Sequence, residues 1–177
     1  CTFEISASSF YQVNPIQVEE KKKKALDLID ISNNEIVLDA YSGVGTIGMI
    51  ASKNAKEVIS VEINESSHRN AKENAKRNNI KNIEFYLDDA GKFIQNYDGK
   101  LDVVIMDPPR KGSDHKFLSA VMSRKIKKVI YISCDPETLA RDLKELSQMY
   151  EVTYVQPVDM FPMTAHVETI VLLEKKC

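Results

Sequence analysis

The sequence has no tryptophan and only three cysteines among its 177 residues, and two of these are Cys1 and Cys177. Such a set does not form a disulfide framework, so we expect the protein to occupy a reducing cytoplasm. The longest apolar runs, such as Val103–Met106, are far too short to cross a bilayer, and the first residues lack the layout of a signal peptide. No cysteine and histidine spacing matches a metal-ligand pattern. These absences argue against a secreted disulfide-rich protein, a membrane-spanning protein and a metal site.

Neither sign of charge dominates, since 24 basic residues against 26 acidic ones give a net charge of −2. This is not typical of an independent nucleic-acid-binding protein, so an RNA partner would require local basic patches or another domain. With 28% charged and 43% hydrophobic residues, the composition is that of a globular protein. A chain of this length buries roughly 70% of its unfolded surface in one domain.

From position 36 onward, short apolar runs alternate with helix-like segments. The runs predict strands at 36–38, 58–61, 83–87, 101–106, 129–133, 152–155 and 167–173. The other segments predict helices at 16–31, 46–51, 66–77, 117–122 and 136–148. The alternation predicts an α/β fold with a mainly parallel, doubly wound sheet of seven strands, and the short link before the last strand predicts that it runs antiparallel. We expect one domain, with an N-terminal extension at 1–35 and the core at 36–177.

The apolar run at 129–132 leads to Cys134, and Asp135-Pro136 follows directly. Asp is a good N-cap and Pro suits the first helical position, so the thiol is predicted to lie between a strand and a helix N-terminus. The positive end of a helix dipole lowers the pKa of a thiol there and favours the nucleophilic thiolate. Ligands of open parallel sheets bind at the carboxyl ends of strands, which places Cys134 for chemistry. The alternative is a small buried hydrophobic residue, and this stretch alone leaves both open.

A loop after the first strand contains Gly43, Gly45 and Gly48 with the spacing of the dinucleotide fingerprint. On that reading it indicates an NAD site, with Glu62 near the position of the ribose-binding acid. Asp39 at the strand end argues against NAD, because its carboxylate repels a pyrophosphate and attracts a cationic amino-acid ligand. The loop is therefore typical of S-adenosylmethionine binding, in which glycines let the backbone approach the ligand and Glu62 accepts hydrogen bonds from the ribose diol. A glycine-rich turn without a ligand is the remaining alternative.

Further acids stand at or near predicted strand ends. Asp89 follows the third strand, where it either hydrogen-bonds an adenine amino group or lies in a solvated turn. Asp107 follows the fourth strand and is expected to point toward the ligand crevice, while Arg110 and Lys111 are candidates for phosphate contacts. Glu168 alternates with apolar neighbours at a sheet end, so we expect a desolvated carboxylate with a raised pKa that suits a general base. The alternative for Glu168 is a strand-edge acid in a salt bridge.

Five segments taken together resemble one family, the uracil-5 RNA methyltransferases that act on tRNA and ribosomal RNA. They are Phe10-Tyr11-Gln12-Val13-Asn14-Pro15, the loop at 39–45, Asp107-Pro108-Pro109-Arg110-x-Gly112, Ser133-Cys134-x-Pro136-x-Thr138-Leu139-Ala140-Arg141-Asp142 and Asp159-Met160-Phe161-Pro162-x-Thr164-Ala165-His166-Val167-Glu168. The resemblance implies a Rossmann-like, class I S-adenosylmethionine-dependent methyltransferase fold. Asp135 and Met163 depart from the family pattern, which often has Asn and Gln there. Asp135 adds negative charge near the thiol, so we expect it to raise the pKa of Cys134.

The resemblance also implies a role for individual residues. Those expected to contact S-adenosylmethionine are Gln12, Tyr41, Glu62 and Asp107. Cys134 is expected to be the nucleophile that adds to C6 of uracil, and Glu168 the base that removes the C5 proton after methyl transfer. Family members carry additional N-terminal modules that bind RNA, so we expect a fragment of a longer enzyme, with ribosomal RNA as its substrate.

Three other functions stay open on the residues alone. An amino-directed methyltransferase, to which Asp107-Pro108-Pro109 is also similar, would not need Cys134. A non-catalytic RNA-binding module would keep the cofactor fold without turnover. An NAD enzyme would bind a nicotinamide cofactor and not S-adenosylmethionine.

Overall fold

The computed structural model describes residues 24–25, 27–158 and 167–177. In this part of the chain the strands are β1 Ile36–Ala40, β2 Glu57–Glu62, β3 Ile83–Leu87, β4 Val103–Met106, β5 Lys128–Ser133, β6 Tyr150–Val158 and β7 Glu168–Lys175. The helices are α1 Thr46–Ala51, α2 Glu65–Arg77, α3 Ala90–Asn96, α4 His115–Ser123 and α5 Pro136–Leu146. Helical residues also occur at 24–25 and 27–29, and the rest of the helix predicted at 16–31 lies largely outside the described residues. No helix in the described ranges is long and apolar enough to span a membrane.

The strands form one sheet in the order β3-β2-β1-β4-β5-β7-β6. Neighbouring strands from β3 through β5 pair in parallel. β7 pairs antiparallel with both β5 and β6. The prediction of a mainly parallel seven-stranded sheet with an antiparallel last strand is confirmed. The reversal has a simple cause, because the link between β6 and β7 is too short for a parallel crossover.

Both faces of the sheet are covered, so its central strands are apolar in continuous runs rather than at alternate positions. In β1, Leu38 packs on one face with Phe117 of α4, and Val37 packs on the other face with Ile47 of α1 and with Ile29. Every residue of β4 is buried. Because both faces are packed, the positions of the strand ends are fixed. A site built from residues at one end of the sheet depends on such fixed positions.

The helix α3 is absent from the helices predicted by the sequence. It has only seven residues, or about two turns, and Gly91 interrupts its apolar pattern, so periodicity gives little signal. Phe93 and Ile94 are buried and dock the helix on the sheet. Its N-cap is Asp89, whose side chain accepts a hydrogen bond from the N–H of Lys92.

Helix N-termini line the end of the sheet at which β1 to β5 finish, which we call the carboxyl end. The residues that follow a strand there and cap the next helix with a side-chain oxygen are Asn64, Asp89, Asp114 and Asp135. Asp135 accepts from two backbone N–H groups and Pro136 opens the helix, which confirms the predicted helix start. The carboxyl end therefore combines strand ends with the positive ends of helix dipoles.

Candidate active site

The described candidate residues lie along the carboxyl end in the order of the strands. They are Asp89 after β3, Glu62 at the end of β2, Asp39 near the end of β1, Asp107 after β4, Cys134 after β5 and Glu168 at the start of β7. Because neighbouring strands are about 4.8 Å apart, these residues form one row across the sheet. The acids predicted for the cofactor occupy one half of the row, and the proposed nucleophile and base occupy the other.

The loop at 41–45 has a backbone that requires glycine. Gly43 has a φ of 56° and Gly45 a φ of 78°, both in the left-handed region. A Cβ on Gly45 would lie 3.0 Å from Met49 Cε and 3.1 Å from Ala71 Cβ, whereas a Cβ on Gly43 would meet nothing within 4 Å. Gly45 is therefore needed for close packing, and open space lies in front of Gly43.

The carboxylate of Asp39 joins β1 to α1, the elements on either side of this loop. Asp39 is only 2% exposed, and its Oδ2 accepts a hydrogen bond from the N–H of Gly48 at 2.8 Å. A Cβ on Gly48 would lie 2.6 Å from the same oxygen. The third glycine of the fingerprint therefore makes room for Asp39, whose buried charge is stabilised by hydrogen bonding.

Glu62 is half-buried and uses both of its carboxylate oxygens to hold backbone. Oε2 accepts from the N–H of Gly43 at 2.8 Å, and Oε1 accepts from the N–H of Asn64 at 2.7 Å. Each carboxylate oxygen has two lone pairs, so Glu62 keeps acceptor capacity for the hydroxyl groups of a ligand. Its position relative to the glycine loop is thereby fixed.

Tyr41 connects the glycine loop to the loop after β4. Its φ is 61°, its hydroxyl lies 2.9 Å from Ser113 Oγ, and its ring centroid is 5.5 Å from that of Phe117. Burial, with a smaller contribution from the nearby negative charge of Asp114, raises the pKa of Tyr41 to about 12. The phenol therefore stays neutral at physiological pH and available as a hydrogen-bonding group.

Asp89 lies at the N-cap of α3 rather than in a simple solvated turn. Its Oδ1 accepts from the N–H of Lys92 at 3.0 Å, and the residue is half-buried. The expected contact with an adenine amino group stays a prediction.

The pKa of the Cys134 thiol is raised, so the lowering expected from the helix start is wrong. Burial is the largest cause, and the negative charges of Glu168 and Asp107 add to it, while the charge of Arg110 opposes them. The expected source of negative charge was Asp135, but its carboxylate accepts backbone N–H groups of α5. Cys134 is half-buried rather than enclosed in the core.

Cys134 and Glu168 lie next to each other's strands, just after the end of β5 and at the start of β7. Ser133 pairs with Thr169, Cys134 is the next residue on one strand, and Glu168 is the preceding residue on the other. Both residues therefore adjoin a directly opposed pair, and the Cβ atoms of such a pair are about 4.5–5.5 Å apart. Glu168 is only 3% exposed and its charge acts on the thiol. A nucleophilic group and a desolvated carboxylate thus lie side by side.

One group of residues in the site had no role assigned from the sequence. Asp142 accepts hydrogen bonds from the hydroxyl of Tyr131 at 2.6 Å and from the N–H of Ser113 at 2.8 Å. Its other oxygen accepts from Arg141 Nε at 2.8 Å. The sequence offered only a weak signal, because Arg141-Asp142 belongs to a family-like segment while Ser113 is 29 residues away.

Two predicted parts of the site, Gln12 and the segment 159–166, lie outside the described residues. Their expected roles stay predictions. Within the described ranges, no three side chains of His, Cys, Asp or Glu are grouped so as to hold a metal ion.

Comparison with known sequences agrees on one family. The model of the tRNA (Uracil-5-)-methyltransferase family matches residues 1–176. A relative from Clostridium acetobutylicum, described as an uncharacterized RNA methyltransferase, is 49% identical over 177 residues, which cover 98% of this chain and 38% of the relative. A relative from Listeria innocua with the same description is 46% identical over 178 residues, which cover 98% of this chain and 39% of the relative. The chain therefore spans about two fifths of the length of these curated relatives.

Solved structures share the fold of this chain. The tRNA (uracil-54, C5)-methyltransferase of Pyrococcus abyssi, in complex with S-adenosyl-L-homocysteine, has a TM-score of 0.85 and 33% identity, over 97% of this chain and 41% of that chain. An rRNA methylase from Streptococcus thermophilus has a TM-score of 0.70 and 15% identity, over 91% of this chain and 97% of that one, which shows the fold alone. The predicted class I methyltransferase fold is confirmed. With a family match over nearly its whole length, this chain belongs to the tRNA (uracil-5-)-methyltransferase family.

Proposed function

We propose that this chain is the catalytic domain of a longer enzyme that methylates C5 of a uridine in RNA, with S-adenosylmethionine as the methyl donor. The observation that carries the proposal is that the Cys134 thiol and the buried Glu168 carboxylate interact at the same end of the sheet as a glycine loop bordered by acids. Membership of the family supports the reaction type. The greater length of the relatives supports a longer enzyme.

The glycine loop fits S-adenosylmethionine. The space in front of Gly43 is open, and the buried hydroxyl of Ser42 has no hydrogen-bond partner within the described part of the chain. A loop with an unused polar group and open space is suited to complete its hydrogen bonds with a ligand. The residues proposed to hold the cofactor are Gln12, Asp39, Tyr41, Gly43, Gly45, Glu62, Asp89 and Asp107.

The charge of the crevice favours this cofactor over NAD. Asp39, Glu62, Asp89 and Asp107 lie along the ends of the four strands next to the loop. The sulfonium and ammonium groups of S-adenosylmethionine are positive, whereas the pyrophosphate of NAD is negative. Opposite charges attract more strongly in a partly desolvated crevice than in water, so the acids select for the cation.

Cys134 is proposed to act as the nucleophile. C5 of uracil is a poor nucleophile until a thiolate adds to C6, which forms a C–S bond and moves the electron pair of the C5–C6 double bond into an enolate. S-adenosylmethionine, when bound, supplies an electrophilic methyl group. A thiol with a raised pKa gives an intrinsically stronger nucleophile once it is deprotonated, which fits the environment of Cys134.

Glu168 is proposed to act as the base. Removal of the C5 proton by its carboxylate lets the C6–S bond break, which restores the ring and releases Cys134. The charge of Glu168 acts on the Cys134 thiol, which supports the proposal that one bound ring contacts both groups. A uridine in folded RNA has to be splayed out of its stack to reach them.

The proposed RNA is ribosomal RNA, and the Pyrococcus abyssi relative makes tRNA the alternative. The proposed compartment is the cytoplasm. The two described cysteines, Cys134 and Cys177, are free thiols, which supports a reducing environment.

The function is tested by mass spectrometry of RNA from cells that lack the gene. We expect 5-methyluridine to disappear from one position of ribosomal RNA and to return with the wild-type gene but not with Cys134→Ala. Loss from tRNA instead would change the proposed substrate and leave the reaction standing. Unchanged 5-methyluridine in both RNAs would contradict the proposed function. Restoration of 5-methyluridine by Cys134→Ala would contradict the role of Cys134 as the nucleophile.

A further inference from the structure

We propose that Asp142 is a positioning residue, which holds the loop after β4 against α5 and so sets where Asp107 and Arg110 lie relative to Cys134. The proposal rests on the proposed function, because it concerns the geometry of the same site. Asp142 acts through the loop at 107–113 rather than on the reacting atoms.

The carboxylate of Asp142 joins three separate parts of the fold. It is only 1% exposed, and its Oδ2 accepts from the hydroxyl of Tyr131 in β5 at 2.6 Å and from the N–H of Ser113 in the loop at 2.8 Å. Its Oδ1 accepts from Arg141 Nε in α5 at 2.8 Å. Hydrogen bonds to an ionised group are stronger than neutral ones, and burial makes their loss costly. Asp142 is therefore a rigid connection rather than a surface contact.

Two more side chains of α5 donate hydrogen bonds to backbone carbonyl oxygens of the loop at 107–113. Thr138 donates its hydroxyl to the carbonyl oxygen of Arg110 at 3.0 Å. Arg141 donates from Nη2 to the carbonyl oxygens of Lys111 and Ser113 at 3.0 and 3.2 Å. These contacts hold the backbone of the loop at 110–113 against α5.

Gly112 shows how closely the loop lies on this group. Its φ is 76°, and a Cβ there would lie 2.5 Å from Arg141 Nη2 and 2.7 Å from Asp142 Oδ2. A side chain would push the loop away from α5. The local sequence is thus adapted to the contact with Asp142.

The connection reaches both halves of the site. Ser113, held by Asp142 through its N–H, also hydrogen-bonds the hydroxyl of Tyr41 in the glycine loop at 2.9 Å. The loop also carries Asp107 and Arg110, whose charges act on the Cys134 thiol in opposite directions. A shift of the loop therefore changes both the cofactor half and the nucleophile half of the site.

Asp102 is a matched control at the opposite end of the sheet. It is 2% exposed, accepts from the N–H of Ile36 at 3.2 Å and lies 2.7 Å from Lys100 Nζ. Both aspartates are thus buried acids with a backbone donor and a cation. Only Asp142 is connected to the candidate site.

The test compares Asp142→Asn with Asp102→Asn in the full-length protein. Asn lacks the charge and presents an NH₂ group to one of the donors around Asp142, so the loop should loosen. We expect kcat for RNA methylation to fall about 10- to 100-fold, because small misplacements of reacting groups have effects of this size. Amide hydrogen exchange at 110–113 should become at least about tenfold faster as local opening is favoured. Asp102→Asn should keep the wild-type kcat and exchange at 110–113, even though its thermal midpoint also falls.

A wild-type kcat in Asp142→Asn, or a lower kcat with unchanged exchange at 110–113, would overturn the proposal. If the wild-type protein methylates no RNA, the proposed function fails, while the exchange comparison still decides the role of Asp142.

If Asp142→Asn does not fold, Tyr131→Phe removes one donor to the same carboxylate. Its control is Tyr150→Phe, which removes a buried hydroxyl that donates to the carbonyl oxygens of Val121 and Ile126. Faster exchange at 110–113 in Tyr131→Phe alone supports the proposal, and equal exchange in the two variants overturns it.

Discussion

The amino and carboxyl ends of the sheet both carry buried acids, but these acids have different partners. At the amino end, Asp102 Oδ1 lies 2.7 Å from Lys100 Nζ and 3.7 Å from Lys127 Nζ. At the carboxyl end, Asp39 accepts a hydrogen bond from the backbone of α1 and Glu62 accepts one from the backbone of the glycine loop. Lysine side chains thus balance Asp102, whereas Asp39 and Glu62 accept hydrogen bonds from backbone N–H groups.

The pKa values of Asp102 and Cys134 are shifted by different surroundings at the two ends of the sheet. Burial alone would raise the pKa of Asp102, but the hydrogen bonds from Lys100 and from the N–H of Ile36 outweigh it and the pKa is lowered. At the carboxyl end, burial and the charge of Glu168 act in the same direction and raise the pKa of Cys134. Perturbed groups of this kind are enriched at functional sites. These directions agree with a stabilising role for Asp102 and with the catalytic site proposed at the carboxyl end.

The largest expected effect comes from Cys134, which we compare with Cys177, the other described cysteine. Cys134→Ala should reduce RNA methylation by at least about 10⁴-fold, because loss of a covalent nucleophile has effects of this size or larger. Cys177→Ala, which changes an exposed thiol far along the chain, should keep wild-type activity. Transfer of labelled methyl to RNA measures both. A Cys134→Ala enzyme with more than a few per cent of wild-type activity would contradict the role of Cys134 as the nucleophile.

The next effect compares two glutamates at opposite ends of β7. Glu168→Gln should slow methylation about 10²- to 10⁴-fold, as expected for loss of a general base, and should accumulate a covalent enzyme–RNA intermediate. Glu174→Gln changes the same residue type at the amino end of the sheet and should be nearly neutral.

Glu168→Gln also changes the thiol. Removal of the adjacent negative charge lowers the pKa of Cys134, so more thiolate is present at neutral pH and alkylation of Cys134 by iodoacetamide should be severalfold faster. Slower alkylation would show that the carboxylate does not act on the thiol.

A smaller effect compares two glutamates on β2, with Glu57 at its first residue and Glu62 at its last. Glu62→Gln should weaken S-adenosylmethionine binding about tenfold or more, since a hydrogen bond to a charged group contributes about 1.5–3 kcal/mol. Glu57→Gln should bind normally. Isothermal calorimetry gives both affinities, and equal binding by the two variants would remove Glu62 from the cofactor site.

The smallest effect concerns stability at the amino end. The folded pKa of Asp102 is below its unfolded value, so its stabilisation is complete at neutral pH and is lost as the pH falls through the folded pKa. Asp102→Asn should lower the free energy of unfolding by about 1–3 kcal/mol at pH 7. The difference in the free energy of unfolding between wild type and Asp102→Asn should disappear in strong acid. Urea unfolding across this pH range measures it, and a gap that persists in acid would assign the loss to packing instead of charge.

Much of the fold could be predicted because the signals are local. The run at 83–87 gave β3 with its observed bounds, and Asp135-Pro136 gave the start of α5. The row of candidate residues followed as well, since parallel strands end on one side of a sheet. Alternating apolar runs and helix caps are properties of neighbouring residues, and these can be seen in the sequence.

The parts that the sequence did not predict depend on distant contacts. The pKa of Cys134 is set by burial and by Glu168, which is far along the chain, so the local helix start gave the wrong sign. The contact of Asp142 with Ser113 spans 29 residues and leaves no periodic pattern. The helix α3 is too short for its period to be read.

The most direct test of the account is the covalent bond between Cys134 and the base. RNA with 5-fluorouridine at the target position cannot lose the C5 substituent as a proton, so the enzyme should be trapped after methyl transfer. We expect a protein–RNA adduct on a denaturing gel that carries the labelled methyl group and that mass spectrometry locates at Cys134. The same RNA with Cys134→Ala should give no adduct. Methylation of ordinary uridine RNA by Cys134→Ala, or an adduct at another residue, would contradict the central claim.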